Sequence, residues 1–141
     1  MPSMNLITWQ TYGKMIDELA KSIQESKDFK KIRSIAGIPR GGLIVATVLS
    51  HKLKLPLVYV EEATPSCLVV DDLTDTGNTL SGLPEVKGRK SAALFVKPWS
   101  DPKPDFWVKE TDAYIIFPYE TLQVEEQSTS YERYQLVSGG E

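Results

Sequence analysis

An apolar run that ends abruptly in two carboxylates is the feature that most restricts the fold of this chain. Residues 67–70 are apolar, and Asp71 and Asp72 follow them directly, before a polar stretch that contains a glycine. A short apolar run bounded by turn residues predicts a strand. Open α/β sheets bind their ligands at the carboxyl ends of their strands. The run therefore predicts an α/β sheet with a ligand site beside the two acids.

The segments around this run alternate between helix and strand patterns. Apolar residues at spacings of three and four predict an amphipathic helix over residues 8–26, and a largely buried helix is expected at Leu43–Leu53. A helix of about two turns is expected from Thr76, and an irregular loop over Trp99–Lys109. Strands are predicted at Ile32–Ile38, Leu57–Val60, Cys67–Val70, Ser91–Val96 and Ala113–Phe117. This order predicts a Rossmann-like α/β domain whose mostly parallel sheet of about five strands is flanked by helices.

Length and charge narrow the possible functions. The 141 residues suit one domain, so we expect residues 1–141 to form a single unit with a polar, partly disordered tail at residues 127–141. Since 16 Lys and Arg stand against 19 Asp and Glu, the net charge is −3, and no overall positive field would attract a nucleic acid.

The single cysteine and single histidine exclude an internal disulfide and a Cys/His zinc site. We expect no membrane span and no secretion signal, and hence a cytoplasmic protein.

The polar residues behind the acidic pair are suited to binding a phosphate. They are Asp75, Thr76, Gly77, Asn78 and Thr79. Their backbone N–H groups and hydroxyls would face outward at the start of a helix. Carboxylates such as Asp71 and Asp72 accept hydrogen bonds from vicinal ribose hydroxyls and can hold Mg²⁺. Two acids alone would favour a strand that ends in a solvated acidic turn, whereas the whole string favours a site for a phosphorylated sugar.

The string of residues 67–79 resembles the phosphoribosyl pyrophosphate-binding motif of the type I phosphoribosyltransferases. It departs from that motif at Thr74, where the family usually has an apolar residue. The resemblance implies that Asp71 and Asp72 bind the ribose hydroxyls and that the turn behind them binds the 5′-phosphate. It also implies that Asp75 is a catalytic acid or base near N7 of a purine.

A glycine-rich turn precedes the buried helix. It consists of Gly37, Ile38, Pro39, Arg40, Gly41 and Gly42. Glycines permit close backbone approach, Arg40 supplies a cation, and the N-terminus of the next helix favours anions. Such a turn is often only a turn. In the type I phosphoribosyltransferases, however, an Arg-Gly-Gly loop binds pyrophosphate, and the order and spacing relative to Asp71 agree. The resemblance therefore implies that residues 39–42 bind substrate and that Arg40 is catalytic.

A third group of residues is expected to bind a base. Pro98 holds Lys97 extended at the end of a strand, so its ammonium would project toward the same end of the sheet as the acids. Because an ammonium donates to a carbonyl and not to an amino group, Lys97 would prefer 6-oxopurines to adenine. Tyr114 can stack on a planar base, and a backbone carbonyl near Ile115 can accept its N–H groups, although such residues are more often part of a core.

This stretch resembles the base-recognition segment of the microbial xanthine-guanine and hypoxanthine-guanine phosphoribosyltransferases. Glu120 stands where the family usually has an aspartate that helps to hold a second metal ion and the pyrophosphate. The resemblance thus implies Asp71, Asp72 and Glu120 as ligands of Mg²⁺. It implies an enzyme of purine salvage that joins guanine, hypoxanthine or xanthine to phosphoribosyl pyrophosphate and releases pyrophosphate.

One departure from the family concerns the long flexible loop that normally shields the reaction from water. Between the second and third predicted strands the chain has only the six residues Glu61–Ser66, which are too few to cover a site. Shielding would then fall to Trp99–Lys109 or to a second subunit, although packing is the simpler interpretation of Trp99 and Trp107. The alternative is a regulatory protein that binds nucleotide without efficient turnover.

The enzyme is the preferred interpretation because the residues with catalytic roles are all present. Arg40, Lys97 and Asp75 remain, and binding of a ribose phosphate alone would not require the base-side lysine. We also expect a homodimer or a higher homo-oligomer, since a small parallel sheet with thin helical cover often buries one face against a partner.

Overall fold

Two parallel sheets and two α-helices make up the part of the chain that the computed structural model describes, residues 3–78 and 89–120. The helices are α1 (Trp9–Gln24) and α2 (Gly41–Leu53), with 3₁₀ turns at Phe29–Lys31 and Val60–Glu62. The strands are β1 (Met4–Leu6), β2 (Ser34–Gly37), β3 (Leu57–Val58), β4 (Cys67–Thr74), β5 (Lys90–Val96), β6 (Phe106–Glu110) and β7 (Tyr114–Ile116). The tail at 127–141 and most of the short helix expected after Thr76 lie outside the described residues.

The larger sheet has five strands in the order β3-β2-β4-β5-β6, and every neighbouring pair is parallel. The strand with the acidic pair, β4, lies at its centre. This arrangement confirms the predicted α/β fold with a parallel sheet of about five strands. It also brings the carboxyl ends of β2, β4 and β5 to one edge of the sheet, where the glycine loop, the turn behind the acidic pair and Lys97 follow.

The outer strands differ from the prediction. The segment Ala113–Phe117 does not join the main sheet, because β7 pairs in parallel with the short strand β1 in a separate two-stranded sheet. The fifth strand of the main sheet is β6, which overlaps the end of the segment Trp99–Lys109 that the sequence predicts as a loop. Its buried Phe106 packs into the core. The prolines and aspartates just before it obscure this strand in the sequence.

Both helices lie close to their predicted positions. Helix α1 begins after Thr8, whose side chain accepts the N–H of Thr11 at 3.1 Å and so caps the first turn. Helix α2 begins at Gly41, two residues earlier than predicted, so the glycine turn forms its first turn. Within the two described ranges, no helix combines the length and apolar character needed to cross a bilayer.

The central strand is buried on both faces, which explains its unbroken apolar run. Leu68 and Val70 face the larger core cluster beneath α1 and α2. Cys67 and Val69 face the opposite side, where they pack with Ala36 and neighbouring residues. A strand covered on both sides has no polar face, so its sequence shows no alternation until it reaches the acids.

Candidate active site

The acidic pair lies within β4 and not in a turn behind it. The strand continues to Thr74, four residues beyond its predicted end, and it leaves Asp71 5% and Asp72 0% exposed. The Oδ1 atom of Asp71 accepts the backbone N–H of Asp72 at 2.8 Å. The Oδ2 atom of Asp72 accepts the hydroxyl of Tyr119. Burial and this hydroxyl partner exclude a merely solvated acidic turn.

The glycine loop packs directly against the acidic strand. A Cβ atom on Gly42 would lie 2.9 Å from Cα of Asp71 and still closer to the carbonyl of Val70. A Cβ on Gly41 would overlap the Asp72 carboxylate and lie 3.0 Å from the Tyr119 hydroxyl. Only glycine permits this approach. The structure therefore brings together the two segments in which the sequence predicts pyrophosphate and ribose binding.

Arg40 stands at the N-terminus of α2 with its side chain exposed. It follows half-buried Pro39 through a cis peptide bond. The first-turn N–H groups of a helix and its dipole favour anions, and an adjacent guanidinium adds charge and donors. The loop is thus chemically suited to an anion next to the acidic pair.

The predicted phosphate turn is described as far as Asn78, and Thr79 lies outside the described residues. Gly77 has φ of +88°, a backbone conformation that favours glycine. The hydroxyl oxygen of Thr76 accepts the N–H of Asn78 at 3.2 Å, and both of these residues are exposed. The turn thus presents a hydroxyl-bearing side chain and an amide side chain to solvent.

Residues 97–105, which join β5 to β6, are hydrogen-bonded to the predicted phosphate turn. Ser100 donates its hydroxyl to the carbonyl of Thr74 at 2.9 Å, and the N–H of Asp101 donates to the carbonyl of Thr76 at 3.1 Å. A Cβ on Gly77 would also collide with the backbone of Asp101. Residues 97–105 are therefore held against the phosphate turn, and β6 follows them.

Lys97 lies at the end of β5 and is 6% exposed. Its ammonium donates to the carbonyl of Ala113, the residue before β7. Burial lowers the pKa of Lys97, because the charged form loses water, while the carboxylates of Asp75 and Asp112 act in the opposite direction. Lys97 therefore connects the acidic side of the site with the segment expected to contact a base.

Trp99 contacts two of the predicted site residues but is not itself among the site residues that the sequence predicts. Its indole Nε1 donates to Oδ1 of Asp75 at 2.8 Å, and its ring centroid lies 5.6 Å from the Lys97 ammonium. The side chain is 56% exposed, so packing was the wrong interpretation of it. Its position two residues after Lys97 is the one signal in the sequence that could have indicated this role.

Tyr114 and Ile115 lie in β7, beside β1. The N–H of Tyr114 donates to the carbonyl of Ser3 at 2.8 Å, and the carbonyl of Ile116 accepts from Ile7 at 2.9 Å. Tyr114 is half-buried, whereas Ile115 is buried. The Lys97 contact with Ala113 places the start of β7 next to the ammonium, as a base-binding segment requires.

Glu120 closes its own turn. Its Oε1 atom accepts the N–H of Phe117 at 2.9 Å, and its N–H donates to the Phe117 carbonyl at 3.0 Å. Across residues 3–78 and 89–120, no three His, Cys, Asp or Glu side chains form a group that could hold a metal ion. Glu120 therefore does not complete a three-carboxylate metal centre with Asp71 and Asp72 among these residues.

Tyr119 is the second residue that the sequence analysis missed. Burial and the neighbouring Asp72 carboxylate raise the pKa of its phenol, so it stays protonated and donates to that carboxylate. Its ring stacks on Phe117 and meets Tyr12 edge to face. The Tyr12 hydroxyl is buried and has no hydrogen-bond partner within the described part of the chain. In the sequence, a single tyrosine after a proline does not predict this contact with β4.

The short connection before β4 is also held in place. Arg89, just before β5, donates to the carbonyl of Ala63 at 2.8 Å and to that of Thr64 at 3.2 Å. Both contacts lie near the amino ends of the strands, away from the acidic pair. The six residues 61–66 lead from the carboxyl end of β3 to the amino end of β4 and are too few to cover the site.

Known phosphoribosyltransferases resemble the chain in sequence and in structure. No protein-family model matches it. It is 30% identical over 115 residues to the xanthine-guanine phosphoribosyltransferase of Cereibacter sphaeroides, covering 62% of this chain and 69% of the relative. It is 28% identical over 139 residues to the xanthine-guanine phosphoribosyltransferase of Nitratidesulfovibrio vulgaris, covering 82% and 83%. The purine phosphoribosyltransferase of Pyrococcus horikoshii superposes with a TM-score of 0.74 at 30% identity, covering 86% of this chain and 97% of that one.

Proposed function

The chain belongs to the type I phosphoribosyltransferase family, and on this premise we propose that it joins a 6-oxopurine to phosphoribosyl pyrophosphate. The products are the nucleoside 5′-monophosphate and pyrophosphate. The observation that carries the choice of base is the buried Lys97 ammonium, which lies beside Asp75 and donates to the carbonyl of Ala113, the residue before β7. An adenine-specific site would require an acceptor at this position and not a donor.

The sugar side of the substrate would bind between the acidic strand and the glycine loop. Asp71 and Asp72 would accept the ribose hydroxyls, and Arg40 with the first turn of α2 would bind the pyrophosphate. The contact between Gly41 and the Asp72 carboxylate supports this assignment, because it puts the diol site next to the anion site.

Mg²⁺ fits the acidic pair as a cation brought with the substrate. Magnesium is commonly bound by one or two carboxylates together with substrate phosphate oxygens, and Asp71 and Asp72 supply two adjacent carboxylates. The cation would neutralise charge on the pyrophosphate. Glu120 is left out of this set because, among the described residues, it does not form a metal-binding group with the acidic pair.

The base would bind between Lys97 and β7. An ammonium has three N–H donors, so Lys97 can keep its bond to Ala113 and still donate to a 6-oxo group. As the purine N9 forms a bond to C1′ of the ribose, the bond from C1′ to pyrophosphate breaks and N7 loses a proton. Asp75, on the same side of the site, would accept that proton.

A nucleotide-binding protein with little turnover is the second candidate. The short connection before β4 favours it, because residues 61–66 cannot exclude water from a reactive sugar. This candidate keeps the same ligands and differs only in the rate of chemistry.

An assay with four bases separates the two candidates. Guanine, hypoxanthine, xanthine and adenine are each incubated with phosphoribosyl pyrophosphate and Mg²⁺, and nucleotide formation is followed by absorbance. We expect nucleotide from at least one 6-oxopurine and none from adenine. If no base gives nucleotide while guanosine 5′-monophosphate still binds, the protein is the nucleotide-binding candidate and not an enzyme.

Lys97→Met tests the base site directly. The variant keeps most of the side-chain stem but removes the donor, so kcat/KM for the 6-oxopurine should fall by about 100-fold, while the affinity for phosphoribosyl pyrophosphate changes little. Lys109→Met, on the exposed face of β6, is the matched control and should behave as the wild type. An equal loss of affinity for both substrates in Lys97→Met would mean that the base site is misplaced.

A further inference from the structure

We propose that Trp99 is a positioning residue for Asp75 and one wall of the base site, an inference that rests on the proposed function. Its indole N–H donates to Oδ1 of Asp75 at 2.8 Å. Its ring lies 5.6 Å from the Lys97 ammonium, within the range of a cation–π interaction. One side chain thus contacts both the proposed proton acceptor and the proposed base-recognition cation.

The segment that carries Trp99 is fixed. Ser100 and Asp101 bond to the carbonyls of Thr74 and Thr76 in the phosphate turn. The Lys103 ammonium donates back to carbonyls of the same segment, the shortest contact being 3.0 Å. A side chain on such a support keeps its position relative to Asp75, which is what a positioning residue requires.

The exposure of the ring points to a ligand contact. Trp99 is 56% exposed although the next residue, Ser100, is 6% exposed. The indole is therefore held by its contacts with Asp75 and Lys97 and not by burial in the core. An aromatic face that is open beside a donor and an acceptor is suited to stacking on a planar purine.

The hydrogen bond to Asp75 also determines which oxygen of the Asp75 carboxylate is left for the purine. Among residues 3–78 and 89–120, the Trp99 indole is the one hydrogen-bond donor on the Asp75 carboxylate. Holding Oδ1 fixes the rotation of the carboxylate and leaves Oδ2 as the oxygen that would exchange a proton with the purine. Loss of the N–H should therefore slow the chemistry more than it weakens substrate binding.

Two substitutions separate the two roles. Trp99→Phe keeps an aromatic ring but removes the N–H, and kcat should fall by about tenfold while both KM values stay close to the wild type. Trp99→Leu removes the ring as well, and KM for the 6-oxopurine should also rise by about tenfold, with KM for phosphoribosyl pyrophosphate unchanged. Trp107→Phe, on β6, is the matched control and should keep wild-type kinetics.

Fluorescence supplies a readout that does not depend on turnover. The chain has three tryptophans, so the double variant Trp9→Phe/Trp107→Phe retains Trp99 alone. We expect guanosine 5′-monophosphate to quench its emission and ribose 5-phosphate to leave it nearly unchanged.

The outcomes distinguish this inference from the proposed function. If the wild type forms no nucleotide from any base, the proposed enzymatic function fails, and quenching by guanosine 5′-monophosphate still decides whether Trp99 contacts the base. If the wild type is active but Trp99→Phe and Trp99→Leu match Trp107→Phe in kcat and both KM values, the role of Trp99 is overturned. Absence of quenching despite nucleotide binding overturns the stacking contact.

Discussion

Asp72→Asn is expected to weaken the binding of phosphoribosyl pyrophosphate by about 100-fold while the fold is retained. Asp72 is fully buried, and its Oδ2 atom accepts the Tyr119 hydroxyl. Asparagine has the same shape and can still accept that hydroxyl. It lacks the negative charge and one acceptor, both of which a ribose diol and an accompanying Mg²⁺ would use.

Isothermal calorimetry with phosphoribosyl pyrophosphate and Mg²⁺ measures this loss. Asp17→Asn is the matched control, because it removes a carboxylate that is exposed on α1 and paired only with Lys52 among the described residues. This control should bind as the wild type does. Unchanged affinity in Asp72→Asn would show that the acidic pair does not form the sugar site.

The central part of the fold could be predicted because its signals are local. A strand buried on both faces gives an unbroken apolar run, and the acids that end the run mark the carboxyl edge of the sheet. The glycine loop is equally visible, since the close approach of Gly41 and Gly42 to β4 requires residues without a Cβ. The glycines indicated a close backbone approach, and the resemblance to the phosphoribosyltransferases indicated that this loop lies beside the acidic strand.

The outer parts of the fold depend on contacts that are distant in sequence. Strand β1 has only three residues and forms by pairing with β7, more than 100 positions later in the chain. Strand β6 follows a stretch rich in proline and aspartate, and what identifies it is the burial of Phe106 beneath α1. Strand propensity is weak in such short segments, and tertiary packing decides their conformation.

The same limit applies to the two residues of the site that the sequence did not reveal. Tyr119 reaches Asp72 from 47 positions away, and Trp99 reaches Asp75 from 24 positions away. Neither contact follows from a spacing pattern, because each depends on how a distant loop packs against the carboxyl end of β4. Single aromatic residues in loops are usually interpreted as packing, and here their polar atoms instead bond to carboxylates of the proposed site.

Gly42→Ala should lower the free energy of unfolding by about 3 kcal/mol, the largest stability effect that we expect from one added methyl group. The new Cβ would lie 2.9 Å from Cα of Asp71 and closer still to the carbonyl of Val70. Both atoms belong to the backbone of the central strand, which cannot rotate away as a side chain would. Helix α2 would therefore have to move off β4, and the anion loop would move with it.

Gly13→Ala is the matched control for this substitution, and urea unfolding measures both variants. Gly13 lies in the middle of α1, and nothing is within 4 Å of the position that its Cβ would occupy. Alanine there should stabilise the protein by about 0.5–1 kcal/mol, because glycine costs that much in a helix interior. Since the same chemical change should act in opposite directions at the two glycines, equal unfolding midpoints for the two variants would contradict the close packing of α2 on the acidic strand. If Gly42→Ala is instead destabilised as expected, its affinity for pyrophosphate should also fall, because Arg40 is carried by the displaced end of the helix.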